Sequence, residues 1–202
     1  MLINGVVGGP SASIPPGVSP AIRQGNMGDM VVSELHGRYY ESAYRRASFN
    51  AASQAAQAVS VALATTYTGL CLYNPPGSGF NLVPNKVKYA LSVAPAGIAS
   101  IGLITGFVTT GGVTAQTTPL TVKSSFIGGG AGVGIALAAA TIITPTWLAH
   151  LVDGFTAAAL PSPSPVVDLE GAFVIPPGGF IAVGALTAVT GLGFISWEEV
   201  PI

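Results

Sequence analysis

Charge is what this sequence has least of. Of its 202 residues only 7% are Asp, Glu, Lys or Arg, against about a quarter in an ordinary globular domain. Seven cations against eight anions give a formal net charge of −1. No basic stripe is available for a phosphate backbone, so no nucleic-acid partner is expected. So little charge also leaves little to keep an isolated surface unassociated. Burial of much of that surface against other copies or other proteins is the expectation.

Cysteine and histidine are nearly absent too. A single cysteine, Cys71, excludes an intrachain disulfide and a cysteine-based zinc site. Within Gly69-Leu-Cys-Leu-Tyr73 it reads as a small buried apolar residue. The only histidines, His36 and His150, form no His-Glu-x-x-His or His-x-His spacing, and no metal site is expected. His150, in the apolar run after Trp147, reads as a hydrogen-bonded core or interface residue. No Gly-x-Ser-x-Gly elbow is present for a serine hydrolase.

The glycine cluster Gly128–Gly134 fits neither Gly-x-Gly-x-x-Gly nor a Gly-Lys-Ser/Thr loop, so it reads as a flexible loop or a close backbone approach. Asp168 and Glu170 stand two apart and Glu198 and Glu199 are adjacent, spacings that set up no facing carboxylate pair. They read as solvent-facing charges guarding strand edges. No catalytic residue, cofactor or enzymatic activity is expected.

Two uncharged runs, Ala47–Asn85 and Ser124–His150, are long enough to raise a membrane span. Gly, Pro, Ser and Thr interrupt both, so none is expected. No basic residue precedes the weakly apolar start, and no signal peptide is expected.

What is present is short, turn-punctuated alternation. Residues 1–28 mix Gly, Pro and Ser with isolated aliphatics and carry four prolines that resist a regular ladder. This reads as an extended N-terminal arm, either disordered or laid as a strap on a neighbouring surface; its low charge favours the strap. Asp29–Arg46 is the one charged patch. Its Arg38, Tyr39, Tyr40, Glu41, Tyr44, Arg45 and Arg46 are the candidate interface residues, because Tyr and Arg are favoured at protein contacts. Its secondary structure is open between a short helix and an extended segment. Ala47–Ala58, rich in alanine, predicts a turn or two of helix.

From Val59 the period becomes two. Val59–Tyr67, Leu70–Tyr73, Lys86–Val93, Ile98–Thr109, Leu120–Ile127, Ile135–Ile143 and Trp147–Leu151 are expected as strands. In Val166–Ile175, Val167, Leu169, Phe173 and Ile175 share one parity while Asp168 and Glu170 take the other, the signature of a half-buried strand. Pro176-Pro-Gly-Gly179 forces a turn. Phe180–Val189 is apolar on both parities, as in a strand covered on both sides. Some eight to ten strands without a βαβ rhythm point to an all-β fold, an antiparallel β-sandwich whose count suits a single jelly roll. The expected division is an arm and contact segment over residues 1–50 and the sandwich over 51–202.

Ser33–Glu41 (SELHGRYYE), the apolar strands after it, and the ending IPPGGF…GFISWEEVPI resemble small structural proteins of tailed-bacteriophage virions. The resemblance covers residues 33–202. It implies a single jelly roll with an N-terminal arm, a virion location, self-association as a homotrimer, and binding to a major capsid protein or other virion proteins as a decoration or cement protein. The alternative is a tail, neck or fibre jelly-roll module that binds a receptor or carbohydrate through Trp147, Trp197 or tyrosines.

Overall fold

The computed structural model describes residues 37–61, 63–95, 99–155 and 166–202. The expected arm and His36 lie outside the described residues. In chain order the elements are α1 (Tyr40–Tyr44), β1 (Ser48–Ala52), β2 (Gln57–Val59), β3 (Thr66–Tyr73), β4 (Phe80–Val93), β5 (Ala99–Phe107) and β6 (Val113–Pro119). They continue with β7 (Val122–Ser124), β8 (Ile135–Ile142), β9 (Thr146–Phe155), β10 (Val166–Asp168), β11 (Gly179–Ala185) and β12 (Val189–Pro201).

The strands form two antiparallel sheets. The first runs β10-β4-β12-β1-β7, with β2 also on β12; the second runs β6-β8-β3-β11-β5-β9. Four pairings are nested: β1 with β12, β3 with β11, β4 with β10, and β5 with β9. That is a long hairpin rolled up on itself, the connectivity of a jelly roll. The excursion β6–β8 interrupts it between β5 and β9. β8 pairs with β3 and carries β6 on its far side, while β7 pairs with β1. One insertion thereby extends both sheets.

Alternation explains the core. Phe49 and Ala51 of β1, Leu82, Val87 and Tyr89 of β4, and Val189, Ile195 and Trp197 of β12 meet Leu70 and Leu72 of β3, Ile101 and Leu103 of β5, and Ile181 and Val183 of β11. A second cluster gathers Cys71 and Tyr73 of β3, Ile104 of β5, Leu137, Ala140 and Ile142 of β8, and Phe180 and Ala182 of β11. β11 is buried at every position, as its two-sided apolar sequence predicts.

Several elements differ from the sequence expectation. Ala47–Ala58 is not helical: it holds β1 and β2. Phe49 and Ala51 are drawn into the core between β12 and β7, and that packing overrides alanine's helical preference. β1 begins at Ser48, so the sandwich starts before residue 51; residues Glu41–Ile202 form one compact unit. The Thr68-Gly69 break is a bulge inside a continuous β3, with Gly69 at φ 125°. Val166–Ile175 is not one strand. After β10 the Leu169 carbonyl accepts from Ala172 N–H across Glu170 (φ 51°) and Gly171 (φ 75°), a turn with two left-handed residues. Leu169 and Ile175 still reach the core, because the turn restores the parity. Gly178 (φ 93°) makes the expected turn before β11.

Candidate interaction surface

The segment that carries the predicted interface residues folds as one helical turn. Arg45 Nε donates to Glu41 Oε1 at 2.6 Å, one turn apart and both exposed, a pair worth about 0.3–0.5 kcal/mol. Arg46 N–H then donates to the Ala43 carbonyl, and Ala47 N–H to the Ser42 carbonyl. This is a Schellman ending, with Arg46 in the left-handed position at φ 61°. Glycine is the usual residue there; arginine is held by its guanidinium, 5.0 Å over the Phe126 ring. Tyr40 and Tyr44 are exposed, and the Arg38 guanidinium lies 5.6 Å over the Tyr39 ring.

Phe126 was not among the predicted residues, and neither was Ile127, which is 91% exposed. Both sit on the turn after β7. Ser125 N–H donates to the Ser48 carbonyl, which fixes this turn beside the end of α1. Tyr44, Arg46, Phe126 and Ile127 therefore make one exposed knob. The alternating run Leu120–Ile127 hid it, because the strand stops at Ser124.

Glu199 anchors the chain that leads away from the knob. It is not an edge guard: it is 6% exposed. Its carboxylate accepts from Val133 N–H at 2.8 and 3.0 Å, from Gly134 N–H at 2.9 Å and from Trp197 Nε1 at 3.2 Å. A Cβ on Gly132 would come within 2.5 Å of Glu199 Oε1, and one on Gly134 within 2.9 Å of Trp197 Nε1. The glycines at 132 and 134 serve close backbone approach. Trp197 is fully buried, a core plug.

The other acids meet the expectation better. Asp168 and Glu170 are exposed, and Asp168 Oδ2 lies 3.9 Å from Lys86 Nζ. His150 is not a core residue: it is exposed, its ring stacked on Trp147 at 5.3 Å, which leaves the interface half of its expectation. Trp147 lies over Gly102 and Gly184, whose missing side chains leave room for the indole.

A cavity of about 300 Å³ opens between the loop after β10 and strands β5, β9 and β11 of the second sheet. Phe107, Leu148, Phe173, Val174, Ile175 and Phe180 line it, and no acid, base or cysteine does. Among the described residues no group of His, Cys, Asp and Glu is placed to hold a metal ion. Cys71 is buried, and burial pushes its thiol well above the ordinary range, away from reactive thiolate. No described helix is long and apolar enough to cross a membrane. Comparison with protein-family models, curated proteins and solved structures returns no match.

Proposed function

We propose that this chain is a virion structural protein, a decoration or cement protein that binds a capsid shell through its exposed apolar and aromatic surface and through self-association. The role is one of contact, without catalysis. The observation that carries the reading is the contiguous knob of Tyr44, Arg46, Phe126 and Ile127 on a sandwich with very few charges. Exposed aromatic and aliphatic side chains rimmed by arginine are the composition of a protein contact. The resemblance over residues 33–202 supplies the virion context.

Sedimentation of purified protein with particle shells tests it. The full chain is expected to pellet with shells, and removal of residues 1–28 to weaken attachment while the melting transition stays in place. Equal binding of the truncated and full chains ends the strap idea; no binding by either ends the virion reading. A receptor- or carbohydrate-binding role has a narrower base. Trp197 is buried and gives it no platform, which leaves the Trp147–His150 stack and the exposed Tyr40 and Tyr44. Glycan-array binding lost in Trp147→Ala would favour that alternative.

A further inference from the structure

The β7 limb and the glycine-rich return limb after it, residues 120–134, lie along the edge of β1. We propose that they form a flap that opens and closes as one unit while the sandwich stays folded, with the Glu199 carboxylate as its latch. Closed, the flap covers the outer edge of β1 in the first sheet; open, it bares the backbone of that strand. A covered edge cannot pair with a wrong strand, and this cover is removable.

The flap holds little of the core. Of residues 120–134 only Ser124 and Gly134 are fully buried, while Leu120, Val122 and Val133 rest half-buried on the core. The β7 limb makes three pairs with β1: Phe49 with Ser124, Asn50 with Lys123 and Ala51 with Val122. The return limb, Gly128–Gly134, has side chains only at Ala131 and Val133, so little apolar surface fastens it. Its neighbours are firmer. β1 keeps five pairs with β12 when β7 leaves. β8 is paired on both sides, with β3 and β6, and Ala136, Leu137 and Ala138 are buried in succession. A segment with few buried contacts beside firm neighbours is one that opens below the global transition.

The two limbs are joined. A Cβ on Gly129 would meet Ser124 Oγ at 2.5 Å, and one on Gly132 would meet the Phe49 ring at 3.0 Å. Phe49 thus supports both limbs, since Ser124 is its partner in β7. Ser125 N–H donates to the Ser48 carbonyl at 2.8 Å, and the two serine hydroxyls share a hydrogen bond at 3.0 Å. Lifting one limb removes a wall from the other.

Glu199 stands on a strand fixed on both sides: it pairs with Leu82 of β4, and its own N–H donates to the Ala47 carbonyl. Among the described residues its carboxylate meets N–H donors alone, those of Val133 and Gly134 on the return limb and Trp197 Nε1. A charged acceptor strengthens each of these bonds. When the limb leaves, water reaches the carboxylate in place of the N–H groups. No charge is stranded in a dry core, so the step is reversible.

Native-state hydrogen exchange of the full chain at rising, sub-denaturing urea tests this. The amides of Ser125, Val133 and Gly134 are expected to share one opening equilibrium. They should exchange at least about 100-fold faster than Ile181 and Ala182 of β11, with a weaker dependence on urea. Glu199→Gln weakens the latch and should speed Ser125, on the far limb, by the same factor as Val133 and Gly134, about tenfold. Ser125→Ala removes the hydroxyl contact with Ser48 and should speed Val133 and Gly134 in turn, about twofold or more. That second variant reads the coupling even where the first does not fold. Exchange of the three amides only together with Ile181 and Ala182 would overturn the proposal. So would faster exchange at Val133 and Gly134 in Glu199→Gln with Ser125 unchanged, or a Ser125→Ala protein in which neither glycine-limb amide responds.

Discussion

In the first sheet β12 alternates along its length: Val189, Ile195 and Trp197 are buried, while Thr190, Leu192 and Ser196 between them are not. In the second sheet β11 shows no such alternation, and Phe180 and Ala182 on one face are as buried as Ile181 and Val183 on the other. Charge follows the same division. Lys86, Lys88, Lys123, Asp168, Glu198 and Glu199 all lie on strands of the first sheet, whereas Asp153 is the only charged residue on the strands of the second. One sheet separates a core from water; the other is core on both faces at its centre, in β11 and most of β3, while β6 at its edge is exposed. At one end the outer face of the second sheet is covered by turns of its own chain. Gly106 and Gly112 approach the Phe180 ring, and Ile143 N–H donates to the Gly112 carbonyl.

If the outer cluster is true core, its centre should matter as much as the centre between the sheets. Phe180→Ala and Trp197→Ala are each expected to cost about 3–5 kcal/mol in denaturant unfolding. A Phe180→Ala cost below about 1 kcal/mol would show the outer face to be a mere surface layer. A smaller effect is expected where the excursion is tied to the first sheet. Glu199→Gln turns one acceptor towards backbone N–H groups into a donor, and should cost about 1–3 kcal/mol. Gly134→Ala should cost a similar amount, about 1–3 kcal/mol, by overpacking against Trp197. Hydrogen exchange at Val133 and Gly134 should accelerate in both variants.

Titration reports on buried groups in both sheets. Burial raises the pKa of Tyr67, Cys71 and Tyr73 on β3 in the second sheet, with Cys71 and Tyr89 adding to the shift at Tyr67. Burial raises Tyr89 on β4 as well. The unfolded chain ionises these groups near their ordinary values of 9.0 for cysteine and 10.0 for tyrosine, before the folded chain does. The folded state then holds more protons, so stability is complete below about pH 9 and falls as pH rises beyond it. Thermal melts from about pH 7 to 11 should show a plateau and then a decline, and Cys71→Ser should leave the tyrosine part of that decline in place.

The least effect is expected on the solvated face of the first sheet. Lys88→Ala should change stability by no more than about 0.5 kcal/mol. Arg46→Ala, which keeps the left-handed backbone and loses the stack on Phe126, should cost about 0.5–1 kcal/mol, and Arg46→Gly less. Equal costs for the two would remove the backbone part of this explanation.

Legibility tracked solvent. Where one face meets water the period is visible, so Lys86–Val93 and the faces of Val167, Leu169 and Ile175 could be read directly. Where both faces are covered, as in Phe180–Ala185, the sequence shows burial but not the strand's neighbours. Ala47–Ala58 misled because alanine's local preference yields to the pull of Phe49 into the core. The exposed side chains of Tyr40, Glu41, Tyr44, Arg45 and Arg46 lie in a segment that aromatics and charge could single out. Phe126 and Ile127 could not be found that way, since alternation alone does not tell where β7 ends.

By itself the sequence determined an all-β chain, its principal turns, a buried cysteine, and the scarcity of charge that makes an associating surface the expectation. These follow from local periodicity, proline and glycine sterics, and composition. Tertiary structure decided the nested pairing of the strands, the two-sided burial at the centre of the second sheet and the reversal of Glu199 from surface acid to buried clamp. It also set the exposed turn after β7 beside the end of α1, and the cavity between the loop after β10 and the second sheet. Each of these depends on contacts between residues distant in the chain, such as Glu199 with Val133, and local pattern carries no record of such partners.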